Sequence, residues 1–113
     1  MKKTKMLKKN YEFRKVLSKG KNYYGDYIQA VIIKSQDSNI LLGLAINTKS
    51  GKAVERNRIK RLLRENYQLI EPKIKDGYEI VFLVKKKVNL RDISFYDIKR
   101  DMKNIFIKAK III

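Results

Sequence analysis

Arg56, Lys60 and Arg64 fall at i, i+4 and i+8 of one stretch, with Asn57 and Arg61 as a second i, i+4 pair beside them. Guanidinium and ammonium groups at that interval break no bonds. They neutralise a row of anions, and the phosphates of a nucleic acid are such a row. Wound at about 100° per residue, Ala53 to Ile70 separates into two arcs. Ile59, Leu62, Leu63, Leu69 and Ile70 make an apolar arc that packs; Arg56, Asn57, Lys60, Arg61 and Arg64 make a cationic one that is free to bind, with Arg58 on the far side near the apolar boundary. Like charges at i, i+4 each cost an isolated helix roughly 0.2–0.5 kcal/mol, and only Glu55 and Glu65 are near enough to offset them. Solvated helix faces normally mix signs, and this one does not, so a polyanionic partner explains the arc better than solvation does.

Other chemistry is poorly supplied. The chain has no cysteine and no histidine, which removes disulfides, thiolate metal sites and the commonest general base. Its acidic residues show no Asp-x-Asp or Glu-x-x-His spacing, so no metal site and no catalytic residue is expected in the polypeptide. Gly51-Lys52 lacks the preceding glycine and following Ser/Thr of a phosphate-cradling loop. Phe13, Tyr23, Tyr24 and Tyr27 are candidates for stacking on single-stranded bases, about 1–3 kcal/mol each where it occurs, although Phe13 serves equally well as a core residue.

The elements that must position these groups belong to one domain, residues 1–113. With 28 Lys+Arg against 11 Asp+Glu the net charge is +17, yet 44% hydrophobic residues and 11 aromatics are too many for a disordered basic tail. Residues 1–9 read as a basic N-terminal extension; no apolar signal segment follows and no run reaches the roughly 18 apolar residues of a membrane span. A cytoplasmic location and no membrane partner are expected.

Asn10 reads as the N-cap of a first helix, Gly20 as its left-handed stop. Tyr27 to Lys34 and Ile40 to Ile46 are β-rich runs around the polar turn 35–39 and are expected to pair antiparallel as a hairpin. Gly43 suggests a bulge or a close contact. The cationic helix runs to about Ile70 and is stopped by Pro72, the only proline. Tyr78 to Val84 has the continuous apolar character of a central strand. Lys85-Lys86-Lys87 reads as a loop or edge device. Ser94 and Asp97 form a capping box for a last helix with Phe95, Ile98, Met102, Ile105 and Phe106 as its stripe. The tail Ile111 to Ile113 either docks on the sheet or frays. The order is α-β-β-α-β-α.

The run Lys52-Ala53-Val54-Glu55-Arg56-Asn57-Arg58-Ile59-Lys60-Arg61-Leu62-Leu63-Arg64 closely resembles the "RNR" motif of the protein component of bacterial ribonuclease P. Leu7 to Val16, Gly20 and Gly43-Leu44-Ala45-Ile46 extend the likeness, so that it covers roughly Leu7 to Phe106. The resemblance implies an α/β (α+β) two-layer sandwich with a mixed central sheet, order α-β-β-(β)-α-β-α and a left-handed β-α-β crossover, where pattern alone favours the right-handed one. It implies a partner, the catalytic RNA of ribonuclease P, which with Mg²⁺ removes the 5′ leader of precursor tRNA; the Mg²⁺ is bound mainly by that RNA. Carried over, Arg56, Asn57, Lys60, Arg61 and Arg64 contact the catalytic RNA, with Lys49 and Lys52 at the start of the helix. Phe13, Leu17 and Val31 line the leader cleft, Leu17 and Val31 standing near positions where the family often has aromatics, and Thr48 replaces one of a usual basic pair. A ribosomal-type RNA binder fits the charge but not the motif's spacing. A DNA-binding regulator, and hence a DNA partner, is disfavoured because no second helix stands at helix-turn-helix distance.

Overall fold

The computed structural model describes residues 3–113. Five strands form one mixed sheet: β1 (Thr4–Met6), β2 (Lys21–Tyr24), β3 (Ile28–Lys34), β4 (Ile40–Leu44) and β5 (Tyr78–Val84). Their spatial order is β1-β4-β5-β3-β2. Three helices, α1 (Asn10–Lys19), α2 (Ala53–Ile70) and α3 (Phe95–Ala109), complete the chain.

β5 is the centre of the sheet, as its apolar run predicts. It pairs antiparallel with β3 along seven positions and parallel with β4 along four. The expected β3–β4 hairpin therefore does not form. A strand with Ile80 and Phe82 on one face and Val81 on the other, all buried, leaves both its edges to be paired, and it separates the two runs. The polar connection 35–39 passes over its end, where the Ser35 amide donates to the Gly77 carbonyl (2.8 Å). β4, α2 and β5 make the β-α-β unit that the resemblance implies, with adjacent parallel strands.

Residues 1–9 are more than an extension. Their first two lie outside the described residues, but Thr4–Met6 is an edge strand parallel to β4. Thr4 Oγ1 lies 2.6 Å from the hydroxyl of Tyr67, a fully buried α2 residue, so side-chain bonding ties β1 to α2. Burial pushes the Tyr67 phenol far above the ordinary range.

Helices cover both faces of the sheet. Ile59, Leu62, Leu63 and Tyr67 of α2 and Ile98, Met102, Ile105 and Phe106 of α3 pack with Ile28, Ala30, Ile32, Ile40, Leu42, Ile80 and Phe82 in the main core. This is the two-layer sandwich that the resemblance implies. Across the opposite face lies α1, whose Val16 joins Leu7, Val31 and Val81 in a smaller core, giving a partial third layer. Leu69, assigned by periodicity to the packing arc, is instead 65% exposed.

Helix ends depart from expectation at two points. α1 starts one residue early, because the Glu12 carboxylate accepts from the Lys9 and Lys8 amides (2.9 and 3.3 Å) and so makes Lys9 the N-cap. Gly20 is extended rather than left-handed; a Cβ there would meet Val31 Cγ1 at 2.6 Å, so close packing of α1 on β3 is what requires glycine. α3 is capped as expected, Ser94 Oγ accepting from the Asp97 amide (3.1 Å) and the Asp97 carboxylate from the Ser94 amide (2.9 Å). The C-terminal tail docks rather than frays: Ile111 is buried in the main core, the Lys75 amide donates to the Ile111 carbonyl and the Ile113 amide to that of Lys73 (both 2.7 Å).

Candidate nucleic-acid interface

α2 presents its cationic arc outward. Asn57, Arg61 and Arg64 are exposed and Lys60 half-exposed, while Ile59, Leu62 and Leu63 are buried beneath them. Among the described residues neither Lys60 nor Arg64 forms an ion pair; Arg61 has one, to Glu65 across an exposed helical turn (3.6 Å), a pairing worth a few tenths of a kcal/mol. The other nearby carboxylate is drawn off the arc. Glu55 accepts from the Lys52 amide (2.9 Å) and pairs with Arg91 (3.3 Å).

The two arginines that flank Asn57 do different work. Arg56 donates to the carbonyls of Gly51 (2.6 Å) and Thr48 (3.1 Å), so part of its guanidinium holds the loop that leads into α2. In that loop the Asn47 side chain accepts from the Lys49 amide (2.8 Å), setting a single 3-10 turn over Thr48–Ser50 that leaves Lys49 exposed. Lys52 is exposed at the N-cap. Arg58 points to the other flank and donates to the carbonyls of Ile93 (2.8 Å) and Leu90 (3.4 Å), ahead of α3. Its place near the apolar boundary is the one the wheel gives.

A second surface lies on the α1 face of the sheet, where pairing register sorts residues into transverse rows. α1 sits on the row Asn22, Val31, Val81, Gly43. On one side of the helix, Lys15 pairs with the buried Glu79 (3.3 Å) in the row that holds Ile33 and Leu41. On the other side the row Tyr24, Gln29, Leu83, continued by Ala45, is open: Tyr24 is exposed and the rest half-buried. Helical spacing turns Phe13 and Leu17 away from Lys15, toward this row.

Of the three cleft residues expected from the resemblance, Phe13 is half-buried and Leu17 exposed at this flank, but Val31 is 2% exposed beneath α1. Val31 supports the helix and cannot touch a ligand. The open floor lies two residues earlier on β3, at Gln29, which the alternation of side chains along a paired strand could have located. Of the stacking candidates Tyr24 is open, whereas Tyr23 and Tyr27 pack partly against the main core.

The open row leads into a hollow of about 450 Å³ walled by Lys49, Ser50, Lys85, Lys86 and Lys87, with Gln29, Ala45 and Leu83 lining it. The 85–87 cluster, which reads as a loop or edge device in the sequence, lines this hollow. Lys87, at the end of the run, adopts a positive φ of 68°, a turn conformation, and lines the same hollow as Lys49. Aliphatic floor and ammonium walls suit a strand whose bases lie on the sheet while its phosphates meet lysines. Among the described residues no cluster of three or more Asp, Glu, His or Cys is placed to hold a metal ion, and no helix is long and apolar enough to cross a membrane.

Comparison with known proteins agrees on one relationship. The family profile described as Ribonuclease P matches residues 1–110. The chain is 42% identical to the ribonuclease P protein component of Clostridioides difficile strain 630, covering 90% of this chain and 89% of that one. It is 40% identical to the protein of the same description from Fusobacterium nucleatum, covering 94% and 97%. The solved structure of the Staphylococcus aureus RNase P protein superposes with a TM-score of 0.83 at 24% identity over 96% of this chain and 97% of that one, a likeness of fold. The RNase P protein from Thermotoga maritima gives 0.78 at 25% identity, covering 88% and 93%.

Proposed function

The chain belongs to the ribonuclease P protein family, and from that membership we propose that it serves as the protein subunit of the ribonucleoprotein endoribonuclease that removes the 5′ leader of precursor tRNA. The bond is cut by the catalytic RNA with its Mg²⁺; the polypeptide contributes position and charge. One observation carries this reading: a helix whose inner side is core presents Asn57, Lys60, Arg61 and Arg64 outward, with one carboxylate partner for the four among the described residues.

Two polyanions, the catalytic RNA and the precursor, repel one another at close range, and a +17 protein placed between them lowers that repulsion by releasing counterions from each. In this assignment the α2 arc, with Lys49 and Lys52, holds the catalytic RNA. The leader crosses the row Tyr24, Gln29, Leu83, Ala45, with Phe13 and Leu17 along its side and Lys85–Lys87 on its phosphates. Both surfaces include the 47–50 loop, so Arg56, which fixes that loop, positions one relative to the other. No Mg²⁺ ligand set is assigned to the protein. In this assignment the protein works in the cytoplasm.

The test is reconstitution. Added to a bacterial ribonuclease P RNA at a Mg²⁺ concentration too low for the RNA alone, the protein restores leader cleavage, and alone it cuts nothing. Absence of stimulation would favour a structural RNA binder, and cleavage without RNA would overturn the assignment of chemistry to the RNA.

A further inference from the structure

Leu69 follows Arg58 by eleven positions, about three helical turns, and therefore lies on the flank of α2 turned to α3, away from the cationic arc. There the last turns of α2 and α3 and the docked tail enclose a hollow of about 520 Å³ lined by Leu69, Met102, Ile107 and Ile113. Leu69, Ile107 and Ile113 are 65%, 54% and 82% exposed, an unusual concentration of bare aliphatic surface on a chain this charged. Lys73, Lys99 and Lys103 also line it, all exposed, and among the described residues none of them is in an ion pair.

A second observation marks the same place. Asn66 lines the hollow and is 3% exposed. Its Nδ2 donates to the carbonyls of Leu62 (3.0 Å) and Phe95 (3.1 Å), which fixes the amide's orientation, and its Oδ1 is buried with no hydrogen-bond partner. A buried acceptor left unsatisfied costs free energy that a ligand's donor recovers.

We propose that this groove docks an acidic amphipathic segment of a partner protein. An apolar anchor carrying an N–H or O–H enters the hollow and donates to Asn66; neighbouring apolar residues cover Leu69, Ile107 and Ile113; carboxylates meet Lys73, Lys99 and Lys103. Aliphatic ridges give a phosphate backbone nothing to bond, whereas a helix with apolar anchors and acidic flanks matches both the walls and the rim. Because the groove and the cationic arc occupy different flanks of α2, the segment binds while RNA is held.

The probe is a synthetic 14-residue helical peptide with Leu at i, i+3 and i+7, a single Trp at i+4 and Glu on its remaining face. This chain contains no Trp, so the indole reports binding without interference. Saturable blue-shifted fluorescence is expected, with backbone amide shifts at Leu69, Met102 and Ile107. Leu69→Glu, Ile107→Glu and the pair Lys99→Glu/Lys103→Glu each weaken binding by about tenfold or more. Replacing the peptide's Trp by Phe, with affinity then read from the amide shifts, weakens binding by about threefold to tenfold in the wild type, and by less in Asn66→Leu if that variant folds. Shifts confined to Asn57, Lys60 and Arg61 would show the peptide acting only as a polyanion on the cationic arc. Shifts at Leu69 and Ile107 on adding an oligouridylate would make the groove part of the RNA surface. Either result, or lack of saturation, overturns the proposal.

Discussion

The ring of Phe13 occupies the space above Gly43: a Cβ at position 43 would lie 2.5 Å from Phe13 Cε1. The close contact that Gly43 suggests in the sequence is this one, and it holds Phe13 half-buried at the edge of the open row. Gly43→Ala must displace the ring or part α1 from β4. It is expected to lower stability by about 1–3 kcal/mol in urea unfolding, and Phe13→Leu in the same chain should recover part of the loss. Leader affinity should fall in the single variant more than stability alone explains.

Arg58 and its neighbours on α2 should separate into two classes. Arg58→Ala removes the donor to the Leu90 and Ile93 carbonyls and should cost about 1–3 kcal/mol of stability. Lys60→Ala and Arg64→Ala, which have no ion pair to lose among the described residues, should stay within about 0.5 kcal/mol of wild type while binding catalytic RNA more weakly. Urea midpoints set beside RNA titrations distinguish the classes.

How much of this was legible beforehand follows from the range of the forces involved. The cationic arc, the buried stripe of α2, the central place of β5 and the Ser94–Asp97 cap are set by residues within one or two turns of each other, and periodicity located them. The pairing partners of β3 and β4 are chosen by β5, more than thirty residues further on, so local pattern joined the wrong strands. β1 leaves no signal in the sequence, because Thr4-Lys5-Met6 is short and sits among lysines that read as a tail. The resemblance puts Val31 in the cleft, whereas burial under Val16 of α1 and the strand register together show that its row is covered and Gln29's open.

Two helix starts should fail first in acid. Amide hydrogen bonds from Lys9 and Lys8 hold the Glu12 carboxyl below its ordinary pKa, and those from Ser94 do the same for Asp97. Folded values below unfolded ones mean that the stabilisation is complete above the unfolded carboxylate pKa and is lost as pH falls through the depressed folded values. Protection of the amides in the first turns of α1 and α3, taken relative to their intrinsic exchange rate at each pH, should therefore fall below about pH 4, the ordinary carboxylate range. Glu12→Gln and Asp97→Asn should each remove their own helix's share of that dependence.

Salt should weaken the complex steeply. If about five phosphates are neutralised along α2 and its leading loop, log affinity for catalytic RNA falls against log salt with a slope of roughly −4. Lys60→Ala should make that slope shallower by nearly one.

If the open side of α2 docks a folded RNA, reversing its charge must abolish most of the affinity for ribonuclease P RNA. Lys60→Glu/Arg64→Glu is compared with Lys34→Glu/Lys103→Glu, which changes net charge equally at exposed sites elsewhere. The first pair should lose about a hundredfold or more in affinity, and the second only the smaller loss due to net charge. Equal losses in the two would mean that the protein attracts RNA by its total charge and that this side of the helix is not the dock.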